Sequence, residues 1–210
     1  KHYAEMAFMG FLEVALNLRT ILKNIKKCKE DILANKPDVL ILIDFPGFNL
    51  KIAKFAKEQG IKVCYYISPK VWAWNQKRAL KLKEITDQIY SILPFEPEFF
   101  AKFGMNVHYV GNPLLDEIRK FQAHDFFFQK NELSYQPIIA LLPGSRKQEV
   151  TMMMDRMIAL VKSFPNAQFV VAGVKSLPQE VYESARKAGI KLVFDQTYDL
   201  LSHATAAVVT

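Results

Sequence analysis

Asp44 stands where the aliphatic run Val39 to Ile43 meets a turn, Asp44-Phe45-Pro46-Gly47-Phe48-Asn49. A lone carboxylate at such a junction can take a proton from a substrate hydroxyl if partial burial raises its pKa. It can equally cap the turn or helix that follows, as aspartate commonly does. Residue type alone leaves both readings open. A second chemical segment is Leu142-Pro143-Gly144-Ser145-Arg146-Lys147-Gln148-Glu149, which reads as a strand, a tight turn and a helix start. Ser145 is placed to cap that helix, with Gln148 three residues on completing a capping box. The helix's first N–H groups and its dipole then favour an anion. Gly144 lets a phosphate approach the backbone, and Arg146 offers a fork of donors matched to phosphate oxygens. The plainer alternative is a well-capped helix with a solvated arginine.

Other unusual residues gather after apolar runs. Ser68-Pro69-Lys70-Val71-Trp72-Ala73-Trp74 follows one of them, Pro94-Phe95-Glu96 another, and Gly111-Asn112-Pro113 a third. Trp72 and Trp74, two positions apart in a first helical turn, do not share one face. One is expected to pack inward while the other lines a cleft, or both are core. Lys77, Arg78, Lys81 and Lys83 make the following helix strongly basic, either as a solvated face or as a contact for anionic lipid or sugar phosphate. The four histidines share no motif, and His108 is expected to be packed within a strand. No metal-ligand spacing, Walker loop, nucleophile elbow or Gly-x-Gly-x-x-Gly occurs, and no RNA-binding pattern of aromatics among basic residues. Cys28 and Cys64 lie in unrelated segments and read as reduced packing thiols.

The elements that must position these residues alternate. A helical pattern covers residues 11–33, with Leu12, Ala15, Leu18, Leu22 and Ile25 in phase. The continuous aliphatic run Val39–Ile43 predicts a strand buried on both faces. A helix over 49–59 closes at Gly60. Strand 62–67, helix 71–85, strand 88–93, helix 96–103 and strand 107–110 follow. Residues 114–136 are charged and aromatic and read as a helical connector. A second alternation then runs through strand 138–142, helix 146–163, strand 168–172, helix 178–187, strand 191–194, helix 198–203 and strand 206–209. Such repetition predicts α/β architecture with parallel sheets and right-handed crossovers. The textural break predicts two sheets that face each other, divided as residues 1–112 and 113–210. In open parallel sheets ligands collect beyond the carboxyl ends of the strands, and five of the predicted strands end in the residues singled out above.

The chain has 210 residues and a formal charge of +7, which suits acidic partners without choosing among nucleic acid, lipid headgroups and phosphorylated small molecules. No apolar run approaches the ~20 residues of a spanning helix.

Read together, Met9-Gly10-Phe11-Leu12-Glu13-Val14, Lys36-Pro37-Asp38-Val39, Ile43 to Leu50, Tyr66 to Trp74, Leu93 to Glu96, Val110 to Leu114 and Leu142 to Val150 resemble the lipid-A-disaccharide synthase family, in order and over nearly the whole chain. The resemblance implies GT-B architecture, two Rossmann-like domains facing a cleft, both incomplete here. The family's Gly-Glu-x-Ser-Gly-Asp segment is expected before Lys1 and its Ser-Gly-Thr-Ala-Thr-x-Glu segment after Thr210, so the 210 residues alone are expected to be inactive. The implied reaction joins UDP-2,3-diacylglucosamine to 2,3-diacylglucosamine 1-phosphate with inversion, giving the lipid A disaccharide 1-phosphate and UDP, without metal or other cofactor. It implies Asp44 as general base, and Gly144, Ser145 and Arg146 at UDP. Asn49, Ser68, Trp72, Trp74 and Asn112 are expected to line the acceptor side. Lys77, Arg78 and Lys81 are expected at the anionic surface of a Gram-negative inner membrane, on its cytoplasmic face, with no nucleic-acid partner. A homodimer is left open. Competing expectations are another UDP-sugar GT-B enzyme, an epimerase or the peptidoglycan N-acetylglucosaminyltransferase, and a non-catalytic anion-binding fragment.

Overall fold

A computed structural model describes residues 18–210. The motif at 9–14 and the start of the helix expected over 11–33 lie outside them. The chain divides into two compact units, Lys1–Leu115 and Asp116–Thr210.

In the first unit, α1 (Leu18–Asn35) leads to β1 (Val39–Ile43), α2 (Pro46–Glu58) and β2 (Lys62–Tyr66). Next come α3 (Val71–Trp74), α4 (Arg78–Ile85), β3 (Gln88–Ser91), α5 (Glu96–Ala101) and β4 (His108–Tyr109). The strands form one parallel sheet in the order β1-β2-β3-β4, with Ile43 level with Tyr66 and Tyr66 level with Tyr90. Pro46, whose φ is preset and whose missing N–H costs nothing at a helix start, opens α2 three residues earlier than its apolar pattern suggests. At the other end Gly60 takes φ 74°, and Ile61 N–H returns to the Ala56 carbonyl at 3.0 Å. That left-handed closure is the one expected of a glycine there.

One face of this sheet carries the core. Leu42, Val63, Tyr65 and Ile89 pack against Ile25 and Ile32 of α1, Ile52, Ala53 and Ala56 of α2, and Ala79, Leu82 and Ile85 of α4. Each large aliphatic buried this way contributes ~1.5–3 kcal/mol. The opposite face corrects the expectation for β1. Val39, Ile41 and Ile43 are 43, 64 and 57% exposed. Among the described residues β1 is the edge strand of the sheet and no helix covers its second face. Two more expectations change. The helix expected over 71–85 is broken, because Asn75 leaves helical geometry (φ −151°, ψ 76°) and α4 restarts at Arg78. His108 is exposed rather than packed, stacked on Tyr90 with Nε2 2.9 Å from Gln88 Oε1.

Helix α6 (Pro113–Lys120) spans the boundary between the units. The second unit holds α7 (Phe127–Lys130), β5 (Ile138–Leu142), α8 (Lys147–Ile158), β6 (Gln168–Gly173), α9 (Glu183–Lys187), β7 (Lys191–Phe194), α10 (Thr197–His203) and β8 (Ala204–Val209). Two 3₁₀ turns, Ala159–Ser163 and Gln179–Tyr182, extend α8 and precede α9. Its sheet is parallel, in the order β7-β6-β5-β8. Here both faces are covered. Leu141, Phe169 and Val171 meet Val150, Met154, Met157, Tyr182 and Ala185 on one side. Ile138, Ala140, Val170, Ala172 and Val193 meet Phe127 and Leu200 on the other. The connector is pinned to α10 by Asp199, 3% exposed, which accepts His124 N–H at 2.8 Å and faces His124 Nδ1 at 2.9 Å. Burial opposes ionisation of Asp199, but the His124 contacts and the nearby His203 outweigh it and hold the carboxyl below its ordinary pKa.

Candidate functional site

The carboxyl ends of β1, β2 and β3 surround a cavity of about 650 Å³. Asp44, Ser68, Lys70, Arg78 and Asn112 are its polar lining, and Pro46, Leu50, Val71, Leu93 and Leu114 its apolar lining. The backbone beneath it is strained. Asp44, Phe45 and Ile67 take φ of 47°, 45° and 62°. The left-handed region is tolerated by aspartate but costly for a β-branched residue such as isoleucine. Strain of this kind persists where surrounding bonds over-determine it, and here those bonds are visible. Asp44 N–H donates to the Tyr66 carbonyl at 2.9 Å. The Asp44 carbonyl accepts from Tyr65 Oη at 2.6 Å and from Asn49 Nδ2 at 2.7 Å. Ile67 N–H donates to the Tyr90 carbonyl at 3.0 Å. Burial pushes the Tyr65 phenol well above its ordinary pKa, the Asp44 carboxylate adds to this and Asn49 partly opposes it. Tyr65 therefore stays a donor to Asp44.

Asp44 itself is exposed, so the expected partial burial is absent. The capping alternative is not realised either: the N-cap of α2 is Phe45, with no side-chain cap bond. Asn49 holds the turn rather than the cavity, its amide donating to the Ile43 and Asp44 carbonyls at 3.0 and 2.7 Å. Asn112 lines the cavity and also caps α6, its Oδ1 accepting Leu114 N–H at 3.1 Å. Trp72 turns inward. Its Nε1–H donates to Glu96 at 3.1 Å and its ring meets Phe95 edge-on at 4.9 Å. Trp74 ends α3, and its side chain lies outside the description. Lys77 is exposed before α4, while Arg78 and Lys81 line an adjoining hollow with Pro46, Leu50 and Val71.

In the second unit a cavity of about 330 Å³ opens at the carboxyl ends of β5, β6 and β8. Leu142, Gly144 and Ser145 line it together with Ala172, Val174, Thr197, Val209 and Thr210. The last five were missed in the sequence, although the rule that ligands sit beyond strand ends extends to β6, β7 and β8 as well. The turn is built one residue later than expected. Arg146, not Ser145, is the N-cap (φ −119°, ψ 147°), and Glu149, not Gln148, reaches back. Glu149 Oε2 accepts the N–H groups of Ser145 and Arg146 at 3.1 and 3.2 Å, and Oε1 pairs with the Arg146 guanidinium. Arginine has no acceptor to return a bond, so only half of a reciprocal box forms. Gly144 sits at φ 109°, where a Cβ would come within 2.6 Å of Glu149 Oε2. Burial works against ionisation of Glu149, but these N–H groups and Arg146 outweigh it and hold the carboxyl below the usual range. The turn does bind an anion: in this structure that anion is the chain's own carboxylate.

Among the described residues no cluster of three His, Cys, Asp or Glu side chains is placed to hold a metal ion, and no helix is long and apolar enough to cross a membrane.

Two parallel four-stranded sheets with cavities at their carboxyl ends place the chain in the GT-B class of α/β proteins. Solved structures of that class agree. MnaA of S. aureus with UDP superposes with a TM-score of 0.65 at 12% identity, over 91% of this chain and 58% of that one. The UDP-GlcNAc 2-epimerase of Neisseria meningitidis bound to UDP-GlcNAc gives 0.62 at 13% identity, over 96% and 60%. At such identities the likeness concerns the fold alone. The sequence places the chain further: the model of the lipid-A-disaccharide synthetase family matches residues 1–210, and the chain belongs to that family. It is 38% identical to the lipid-A-disaccharide synthase of Syntrophus aciditrophicus, over 98% of this chain and 56% of that protein. It is 36% identical to that of Pseudomonas putida, over 97% and 56%. The chain thus spans about half the length of the curated relatives it matches.

Proposed function

We propose that the full-length protein is the glycosyltransferase of lipid A synthesis, joining UDP-2,3-diacylglucosamine to 2,3-diacylglucosamine 1-phosphate. The observation that carries this reading is the Asp44 carboxylate on the lining of a largely apolar cavity, on a left-handed backbone fixed from three directions. Family membership supplies the reaction class. Asp44 takes the proton of the acceptor's 6-hydroxyl as that oxygen attacks the anomeric carbon of the donor sugar. The carbon–oxygen bond to UDP breaks, and its electron pair leaves with the diphosphate. The proton needs one base and the departing charge needs fixed donors; Asp44 serves as the first, and the Ser145 and Arg146 N–H groups with the Arg146 guanidinium as the second. UDP must then displace the Glu149 carboxylate from those donors. No metal enters this chemistry.

The apolar lining of the Asp44 cavity suits an acylated sugar, and Lys70 beside it suits a phosphate. Lys77, Arg78 and Lys81 would meet an anionic membrane surface, on the cytoplasmic face where both acylated substrates reside. Acylated substrates held at a bilayer make such a contact useful at ~1 kcal/mol per basic residue.

The test is release of UDP from UDP-2,3-diacylglucosamine by the protein expressed over its whole reading frame, with and without the monosaccharide 1-phosphate. Release that requires the acceptor, with a new disaccharide by mass, is the expected result. UDP release that is indifferent to the acceptor would remove the reading.

A further inference from the structure

The segment from Ser68 to Trp72, which walls the Asp44 cavity, is tied down by one buried acid. Glu96, the first residue of α5, is 1% exposed. Its Oε1 accepts from Ser68 Oγ at 2.8 Å and from Trp72 Nε1 at 3.1 Å. Its Oε2 accepts the Leu93 N–H at 3.3 Å. All three donors are neutral. An apolar side chain in its place would leave these three donors without their acceptor, which is costly where they are buried. What Glu96 adds is direction: both of its oxygens accept here, and a serine hydroxyl has a single proton to give.

That proton is committed to Glu96. Ser68 lines the cavity while being 4% exposed, so a ligand atom reaching its oxygen meets lone pairs. Asp44, on the same lining, is likewise an acceptor when ionised. Lys70, two residues after Ser68 on the same lining, is a donor only. The polar lining thus holds acceptors at Asp44 and Ser68, cations at Lys70 and Arg78, and Asn112, whose Oδ1 already accepts Leu114 N–H.

We propose that Glu96 is a positioning residue that fixes Ser68 as a hydrogen-bond acceptor, so that the ligand group seated at Ser68 is an O–H or N–H donor and never an anionic oxygen. The proposal rests on the functional reading above and sharpens it. The hydroxyl- and amide-bearing part of the acceptor sugar lies against Asp44 and Ser68, and its phosphate is turned towards Lys70. The device reaches across two loops, since Glu96 and Leu93 follow β3 whereas Ser68 and Trp72 follow β2. It also explains the pairing of Trp72 with Glu96: the indole N–H, which can only donate, reports on the same oxygen that holds the serine proton.

The experiment is steady-state kinetics of the protein expressed over its whole reading frame, varying each substrate in turn, for wild type, Ser68→Ala, Glu96→Gln and the double variant. Assays run below the unfolding temperature of each, set by circular dichroism. The amide of Glu96→Gln keeps the shape but replaces one of the two acceptor oxygens with an NH2, so at least one of the three donors loses its acceptor. Expected is a rise in acceptor KM of about tenfold for either single change, one hydrogen bond's worth. KM for the UDP-sugar should stay within about twofold, and Glu96→Gln should add little once Ser68 is alanine. A lowered kcat with both KM values unmoved would show Glu96 to be merely structural and would overturn the proposal. If Glu96→Gln does not fold, Ser68→Ala decides alone, and an unchanged acceptor KM there overturns it as well. An inactive wild type is a different outcome: it removes the functional reading, and the proposal falls with it.

Discussion

The two cavities sit at equivalent places in their sheets, beyond the carboxyl ends of parallel strands, and are built by opposite means. In the first unit, the strained main chain at Asp44 is held by the Tyr65 and Asn49 side chains and the Tyr66 carbonyl, and that at Ile67 by the Tyr90 carbonyl. In the second, the donors are main-chain N–H groups, and a side chain, Glu149, occupies them. The first invests in placing one carboxylate. The second presents main-chain donors that Glu149 fills and that, under the proposed reading, UDP takes over. Precision and exchangeability are thereby separated between the units.

Exchanging Asp44 for asparagine tests this contrast most severely. Turnover should fall about 10²–10⁴-fold, the usual worth of a general base, while the UDP dissociation constant measured by calorimetry stays within about twofold. A parallel loss of UDP affinity would mean the cavities are not so divided. Arg146→Ala should do the reverse, weakening UDP by about tenfold or more, as expected for a charged hydrogen-bond donor. Tyr65→Phe removes the hydroxyl that holds the Asp44 carbonyl and should lower stability by about 1 kcal/mol in urea titrations, with turnover reduced further than stability explains. The smallest effect belongs to Glu149→Gln, which weakens the resident anion and should tighten UDP by a few-fold.

The sign of the pH dependence follows from the depressed folded pKa of Glu149. Its contribution to stability is present above the ordinary glutamate value of about 4.3 and is lost as pH falls through the lower folded value. The gap in Tm between wild type and Glu149→Gln should therefore close on acidification below about pH 4. A gap that widens instead would contradict the proposed capping role.

Much of this could be read in the sequence because parallel strands announce themselves. The expected run 138–142 is β5 residue for residue, and 191–194 is β7. Strand ends then pointed to Asp44, Ser68 and Asn112, which do line one cavity. Three things were hidden. An aliphatic run says that a strand is apolar, not that both faces are covered, so the open side of β1 was illegible. Ser145 is the better capping residue by type, and only the main-chain turn shows that the helix begins one position later. Glu96 was singled out at a strand end but given no role, because burial that depends on Ser68 and Trp72 leaves no local trace.

The left-handed perch of residue 44 has a practical corollary. All three hydrogen bonds that hold it grip its amide and carbonyl: the Tyr66 carbonyl, the Tyr65 hydroxyl and the Asn49 amide. Asparagine, which tolerates positive φ as well as aspartate does, can occupy that socket without reshaping it. Acidity at this position is thus detachable from architecture, and a protein stripped of it should still crystallise around its intact substrates.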